Sequence, residues 1–292
     1  MIKNFALIIF LMLLVGCEKN VDLNLEVATP VLVVDGQIEN GNAPIIVLTK
    51  SLGYFSKISP DILANSFVRN AEVYVSNGIL THKLREYAIP LTPGYTAYFY
   101  SNDLLNPATS FLGTFNTNYT LRVTAEGKEY TSSTKILNNA FSLDSIWTRP
   151  APQAIDTLRR LFYIKTTDVP GLGNSGRYFT KKNSEEFLAG ENSVFDDQIV
   201  DGTTLSSIVP PGVDRNNRVQ GEKNLFQKGD TITMKYCNID RKTYDFWNTW
   251  EFAFQSIGNP FAQPNKVLGN ISNGALGAFS GYAVQLKTII SK

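Results

Sequence analysis

The stretch Ala71-Glu72-Val73-Tyr74-Val75, followed by Asn77-Gly78 and a return over residues 79–84, decides the fold class. Val73 and Val75 alternate with Glu72 and Tyr74, a period of two that sends one set of side chains to a core and the other to water. Asn and Gly both tolerate the positive φ that a tight β-turn demands, so Asn77-Gly78 reads as the tip of a hairpin. Similar runs lie to either side. Upstream, Val31-Leu32-Val33-Val34-Asp35-Gly36-Gln37-Ile38 is a strand that turns at Asp35-Gly36 or at Glu39-Asn40-Gly41-Asn42, and Pro44-Ile45-Ile46-Val47-Leu48-Thr49 returns from it. Downstream come Tyr95-Thr96-Ala97-Tyr98-Phe99-Tyr100 and a strand over residues 118–125, which leads through Glu126-Gly127-Lys128 into another over residues 129–134. Seven or so short strands with no helical pattern between them predict an immunoglobulin-like β-sandwich over residues 31–137.

A boundary at Leu137-Asn138-Asn139 opens a second unit, residues 140–292, expected to be a β-rich, barrel-like domain carrying one helix. Its strands are read at residues 161–166, 177–182, 231–237 and 278–286. The linker over residues 170–176 is Gly-rich but lacks the spacing of a phosphate-binding loop, and reads as a plain connection. Residues 191–230 are polar and rich in turns. The helix is expected at about 240–257, with Asp240 as N-cap and Gly258-Asn259-Pro260 as the stop. Its aromatic residues Phe246, Trp247, Trp250, Phe252 and Phe254 are read mainly as packing against a sheet, with a ligand-lining role as the alternative.

Composition agrees with a sheet-rich exported protein: aromatic residues make up 12% and charged residues only 18%. The amino terminus supplies the export signal. Lys3 precedes an apolar run over residues 5–15 that is shorter than the roughly 20 residues a membrane span requires. Leu14-Val15-Gly16-Cys17 then reads as a lipoprotein signal box: residues 1–16 as signal peptide, Cys17 as the lipidated residue, residues 17–30 as a tether. Lys3 is the only charge removed with the signal, which leaves the basic and acidic residues in balance and gives no electrostatic case for nucleic acid. Cys237, the second of two cysteines, then has no disulfide partner and reads as a buried structural thiol.

Catalytic signatures are missing. His82 is the only histidine and sits beside a hairpin, so neither a Ser-His-Asp triad nor a multi-histidine zinc site can be assembled. Asp196, Asp197 and Asp201 offer oxygen ligands at loop spacing, but not the spacing of an EF-hand, and are read as solvated turn residues rather than a metal site. No cofactor and no catalytic residue are expected; Tyr54, Phe55, Tyr95 and Tyr98 are candidate contacts for a peptide, glycan or protein partner.

Asn259-Pro260-Phe261, Pro264, Asn270-Ile271, Asn273-Gly274 and Leu276-Gly277-Ala278-Phe279, following the helix, resemble the end of the Bacteroidota lipoprotein family called domain of unknown function 4249. Val33-Val34-Asp35-Gly36, Asn70-Ala71-Glu72-Val73, Tyr119-Thr120-Leu121 and Asp144-Ser145-Ile146 extend the resemblance over nearly the whole chain. The resemblance implies a lipid-anchored outer-membrane protein, at the cell surface or on the periplasmic face, serving as a non-enzymatic binding or accessory subunit of a TonB-dependent nutrient-uptake system. A structural or assembly factor of the outer membrane is the alternative reading, and a surface hydrolase a third.

Overall fold

The computed structural model describes residues 29–53, 59–92, 95–138, 140–217, 221–259, 261, 263 and 265–292. The chain is mainly β. In order it forms β1 (Leu32–Glu39), β2 (Ile45–Lys50), α1 (Pro60–Ser66), β3 (Glu72–Ser76), β4 (Thr81–Lys83), β5 (Arg85–Thr92), β6 (Tyr95–Ser101), β7 (Thr117–Ala125), β8 (Lys128–Ile136) and β9 (Phe141–Pro150). There follow β10 (Arg159–Asp168), β11 (Ser175–Lys182), β12 (Leu188–Asp196), β13 (Thr204–Ile208), β14 (Phe226–Gln227), β15 (Thr231–Ile239), α2 (Arg241–Gln255) and β16 (Leu276–Ile290).

Turn chemistry sets the hairpins. Gly78 has φ +88°, and the Asn77 side chain accepts the amides of Ile79 and Leu80 at 3.0 and 2.8 Å, which closes β3 onto β4. Glu126 and Gly127 both take positive φ between paired Ala125 and Lys128, the two-residue turn that matches strand twist. Asp35-Gly36, by contrast, lies inside β1; that strand turns at the alternative position, where Gly41 has φ +78°.

Among the described residues three sheets make the fold. One has eight strands in the order β12-β11-β15-β16-β1-β2-β6-β5; two have four, β4-β3-β7-β8 and β13-β10-β14 with β9 on the other side of β10. The β4-β3-β7-β8 sheet packs on one end of the large sheet around Val34, Ile46, Val73, Tyr119, Leu121 and Phe279. The β10 sheet packs on the other end around Phe141, Phe162, Phe226, Ile232, Met234 and Tyr236. The half read from the sequence as β-rich with one helix thus lays one sheet on another.

β16 belongs to both ends. Leu276 to Tyr282 pair in parallel with β1, and Ala283 to Ile290 pair antiparallel with β15, so one sheet runs across the 137/140 division. The parallel approach requires Gly277: at φ +92° a Cβ would stand 2.0 Å from the Val34 carbonyl oxygen.

Helix α2 covers the opposite face of the large sheet. Asp240 caps it by accepting the Thr243 amide at 2.8 Å, and its second oxygen accepts Thr134 Oγ1 and the Lys135 amide from β8. Beneath the helix lies a buried polar network. Arg177 donates to Ser193 Oγ at 2.9 Å and to Tyr282 at 3.0 Å, with its guanidinium 3.4 Å from the Trp247 ring centroid. Glu251 accepts the Ser193 amide at 2.8 Å and the Ser193 hydroxyl, with Arg215 at 3.5 Å. Phe246 is buried, Trp247, Trp250 and Phe254 are half-buried, and Phe252 is exposed: the helix flanks the sheet.

Candidate functional site

The stretch over residues 191–230 is more ordered than its polarity suggests, because it completes β12 and supplies β13. β12 bulges: Phe179 pairs with Ala189, yet Arg177 pairs with Val194, so the four residues 190–193 stand opposite the single Tyr178 and leave the ladder. The bulge turns Ser193 towards Arg177 and Glu251 beneath α2, while Glu191 and Asn192 line a cleft on the other side.

That cleft, about 650 Å³, opens between the β10–β13 sheet and strands β11, β12 and β15. Its floor is aromatic. Phe195 stacks on Tyr236 with centroids 5.2 Å apart and meets Phe141 edge-on at 5.3 Å. Phe141 is held by its own backbone, whose amide donates to Asn238 Oδ1 at 2.6 Å and whose carbonyl accepts Asn238 Nδ2 and Gln285 Nε2. Ile164 and Val209 continue the apolar wall, and Leu205 and Ile208, 45% and 50% exposed, form the mouth with Ile199 at 95%. Apolar side chains left in water around a concavity are what an apolar guest would cover.

Polar side chains interrupt this apolar lining. Tyr178 lines the cleft, and burial, with Glu251 nearby, pushes the pKa of its hydroxyl up to about 12, so it remains neutral. It is accommodated by Gly190, where a Cβ would stand 2.0 Å from the phenol oxygen. Burial also raises the pKa of Tyr236. Asp168 is buried, and its two oxygens accept Asn174 Nδ2 and the Gly202 amide, each at 3.0 Å.

The residues singled out from sequence fall elsewhere. Leu14, Val15, Gly16, Cys17, Tyr54 and Phe55 lie outside the described residues. Tyr95 and Tyr98 are half-buried against Phe67, with the Arg69 guanidinium 3.9 Å from the Tyr98 centroid. His82 is fully buried: Nε2 accepts the Asp103 amide and Nδ1 bonds Thr109 Oγ1, both at 2.8 Å, a structural role. Cys237 is buried in the cluster under α2, and burial pushes its thiol up to about 12, far from a reactive thiolate.

The acidic cluster is rearranged. Asp197 and Asp201 come together with Asp168, not with Asp196, their oxygens lying within 4.8 Å of one another. Asp196 faces Arg241 at 3.7 Å. The cluster's oxygens are engaged by the Gly-rich connection: Gly173 and Asn174 amides donate to Asp197, and Gly171 donates to Asp201 at 2.7 Å. The backbone donors that a phosphate would need are therefore spent on the chain's own carboxylates.

Sequence reasoning missed the cleft itself. The one local hint was the spacing of Ile199, Leu205, Ile208 and Val209 through an otherwise polar stretch. No curated protein matches the chain. Residues 18–288, almost its whole length, match the family described as "Domain of unknown function (DUF4249)", and the chain belongs to that family.

Proposed function

We infer that this protein is a Bacteroidota outer-membrane lipoprotein, anchored through a lipid on Cys17, that acts as a non-enzymatic binding or accessory subunit of a TonB-dependent nutrient-uptake system. The cleft carries the binding part of this reading: an aromatic floor, an exposed apolar mouth and interspersed hydrogen-bonding groups suit capture of a small guest. The anchor reading rests on Leu14-Val15-Gly16-Cys17 after a short apolar run. Among the described residues no helix is long and apolar enough to cross a membrane. Cys17→Ala should move the protein from the membrane fraction to the soluble fraction or leave it with an uncleaved, unlipidated amino terminus; a lipidated product would overturn the assignment. Affinity purification of the parent from membranes should recover a stoichiometric TonB-dependent transporter, and recovery of envelope-assembly proteins in its place would sink the uptake role.

A further inference from the structure

The charge around the cleft narrows what can enter it. The lining includes the carboxylates of Asp168 and Asp196, and no lysine or arginine lines the cleft among the described residues. Asp196 is partly offset by Arg241 at 3.7 Å. Arg215 is committed to the helix side, donating to the Gly190 carbonyl at 3.0 Å and lying 3.5 Å from Glu251. Among the described residues the donors to Asp168 are neutral amides, from Asn174 and Gly202. In a concavity walled by Phe195, Tyr236 and Ile164, charges interact more strongly than in open water, so a second negative charge is repelled and a donor or cation is attracted.

We propose that this cleft takes a small amphiphile with an aromatic or aliphatic body and a neutral or cationic polar end, and that it discriminates against the matching anion; the proposal rests on the cleft being the binding site. The body lies on the Phe195–Tyr236 stack and covers Leu205 and Ile208 at the mouth. The polar end faces the carboxylates, with the Tyr178 hydroxyl as a further hydrogen-bonding partner. Discrimination comes from repulsion built into the rim as much as from attraction.

Three water-soluble probes test this, since they share a phenylbutyl body and differ only at the end: 4-phenylbutanol, 4-phenylbutylamine and 4-phenylbutyrate. Binding to the purified full chain is read by saturation-transfer NMR. The alcohol and the amine should bind, with the carboxylate at least tenfold weaker. Val213→Trp, which fills the cleft from a half-buried position, should abolish binding of all three. Leu205→Arg, a substitution at the exposed mouth, should reverse the preference towards phenylbutyrate, and Asp196→Asn should shrink the discrimination below threefold. Equal binding of all three probes, blocked by Val213→Trp, would overturn the charge selectivity while leaving the site in place. No binding, or binding that Val213→Trp leaves intact in a variant that melts like the parent, would overturn the site as well.

Discussion

Removing the carboxylate of Glu251 should loosen α2 from the large sheet. Glu251 and Arg177 are each only 3% exposed, so solvent screens neither. In Glu251→Ala the buried Ser193 amide loses its acceptor, which costs about 1–3 kcal/mol. Arg177, whose guanidinium lies 4.0 Å from the Glu251 carboxylate, is left as a buried cation, and breaking such a pair from one side costs about 3–5 kcal/mol in total. Arg177 keeps Tyr282, Ser193 Oγ and the Trp247 face, so the lower end of that range applies, about 3 kcal/mol. At a urea m-value of about 3 kcal/mol/M the unfolding midpoint falls by about 1 M. Trp247 and Trp250, 5.6 Å apart on the helix, report the transition by fluorescence. Glu251→Gln keeps an acceptor for Ser193 and should lose about half as much. The double variant Arg177→Met, Glu251→Leu removes both charges together and should recover at least half of the single-variant loss. A loss below about 1 kcal/mol for Glu251→Ala, or a double variant as unstable as the two singles summed, would refute the view that the network clamps the helix.

Gly190→Ala puts a Cβ 2.0 Å from the Tyr178 oxygen, and overpacking of this kind should cost about 1–3 kcal/mol, measured as a lowered urea midpoint. Gly277→Ala combines positive φ with a 2.0 Å clash against the Val34 carbonyl and should cost more than Gly190→Ala, because backbone cannot move aside as a side chain can. Burial lowers the pKa of His82 below its ordinary 6.5, with Asp103 opposing, so the unfolded chain binds the proton more readily than the native one. Its contribution to stability is therefore present above pH 6.5 and is lost as pH falls through 6.5 towards the lowered value; urea midpoints between pH 7.5 and 5.5 should drop more for the parent than for His82→Gln. Cys237 should resist iodoacetamide in the native protein and react once urea unfolds it, and modification of the folded chain would contradict its burial.

What the sequence determines by itself is local. The β3–β4 and β7–β8 hairpins, the Asp240 cap and the inward faces of β1 and β7 are all legible, because turn residues and period-two or helical spacing act between near neighbours. The alternation breaks down where a strand bulges, and so β12 hides within a stretch that reads as polar turns. Only the tertiary structure decides three things: the parallel pairing of β1 with β16, the meeting of Asp168 with Asp197 and Asp201, and the cleft over Phe195 and Tyr236. Each joins residues far apart in the chain, and the contact energy that selects them comes from packing whole sheets together, which leaves no periodic trace in either partner alone. Arg177 shows the difference: in sequence it opens a strand after the Gly-rich connection, and in the fold it is the buried cation that holds α2 to the sheet behind the cleft.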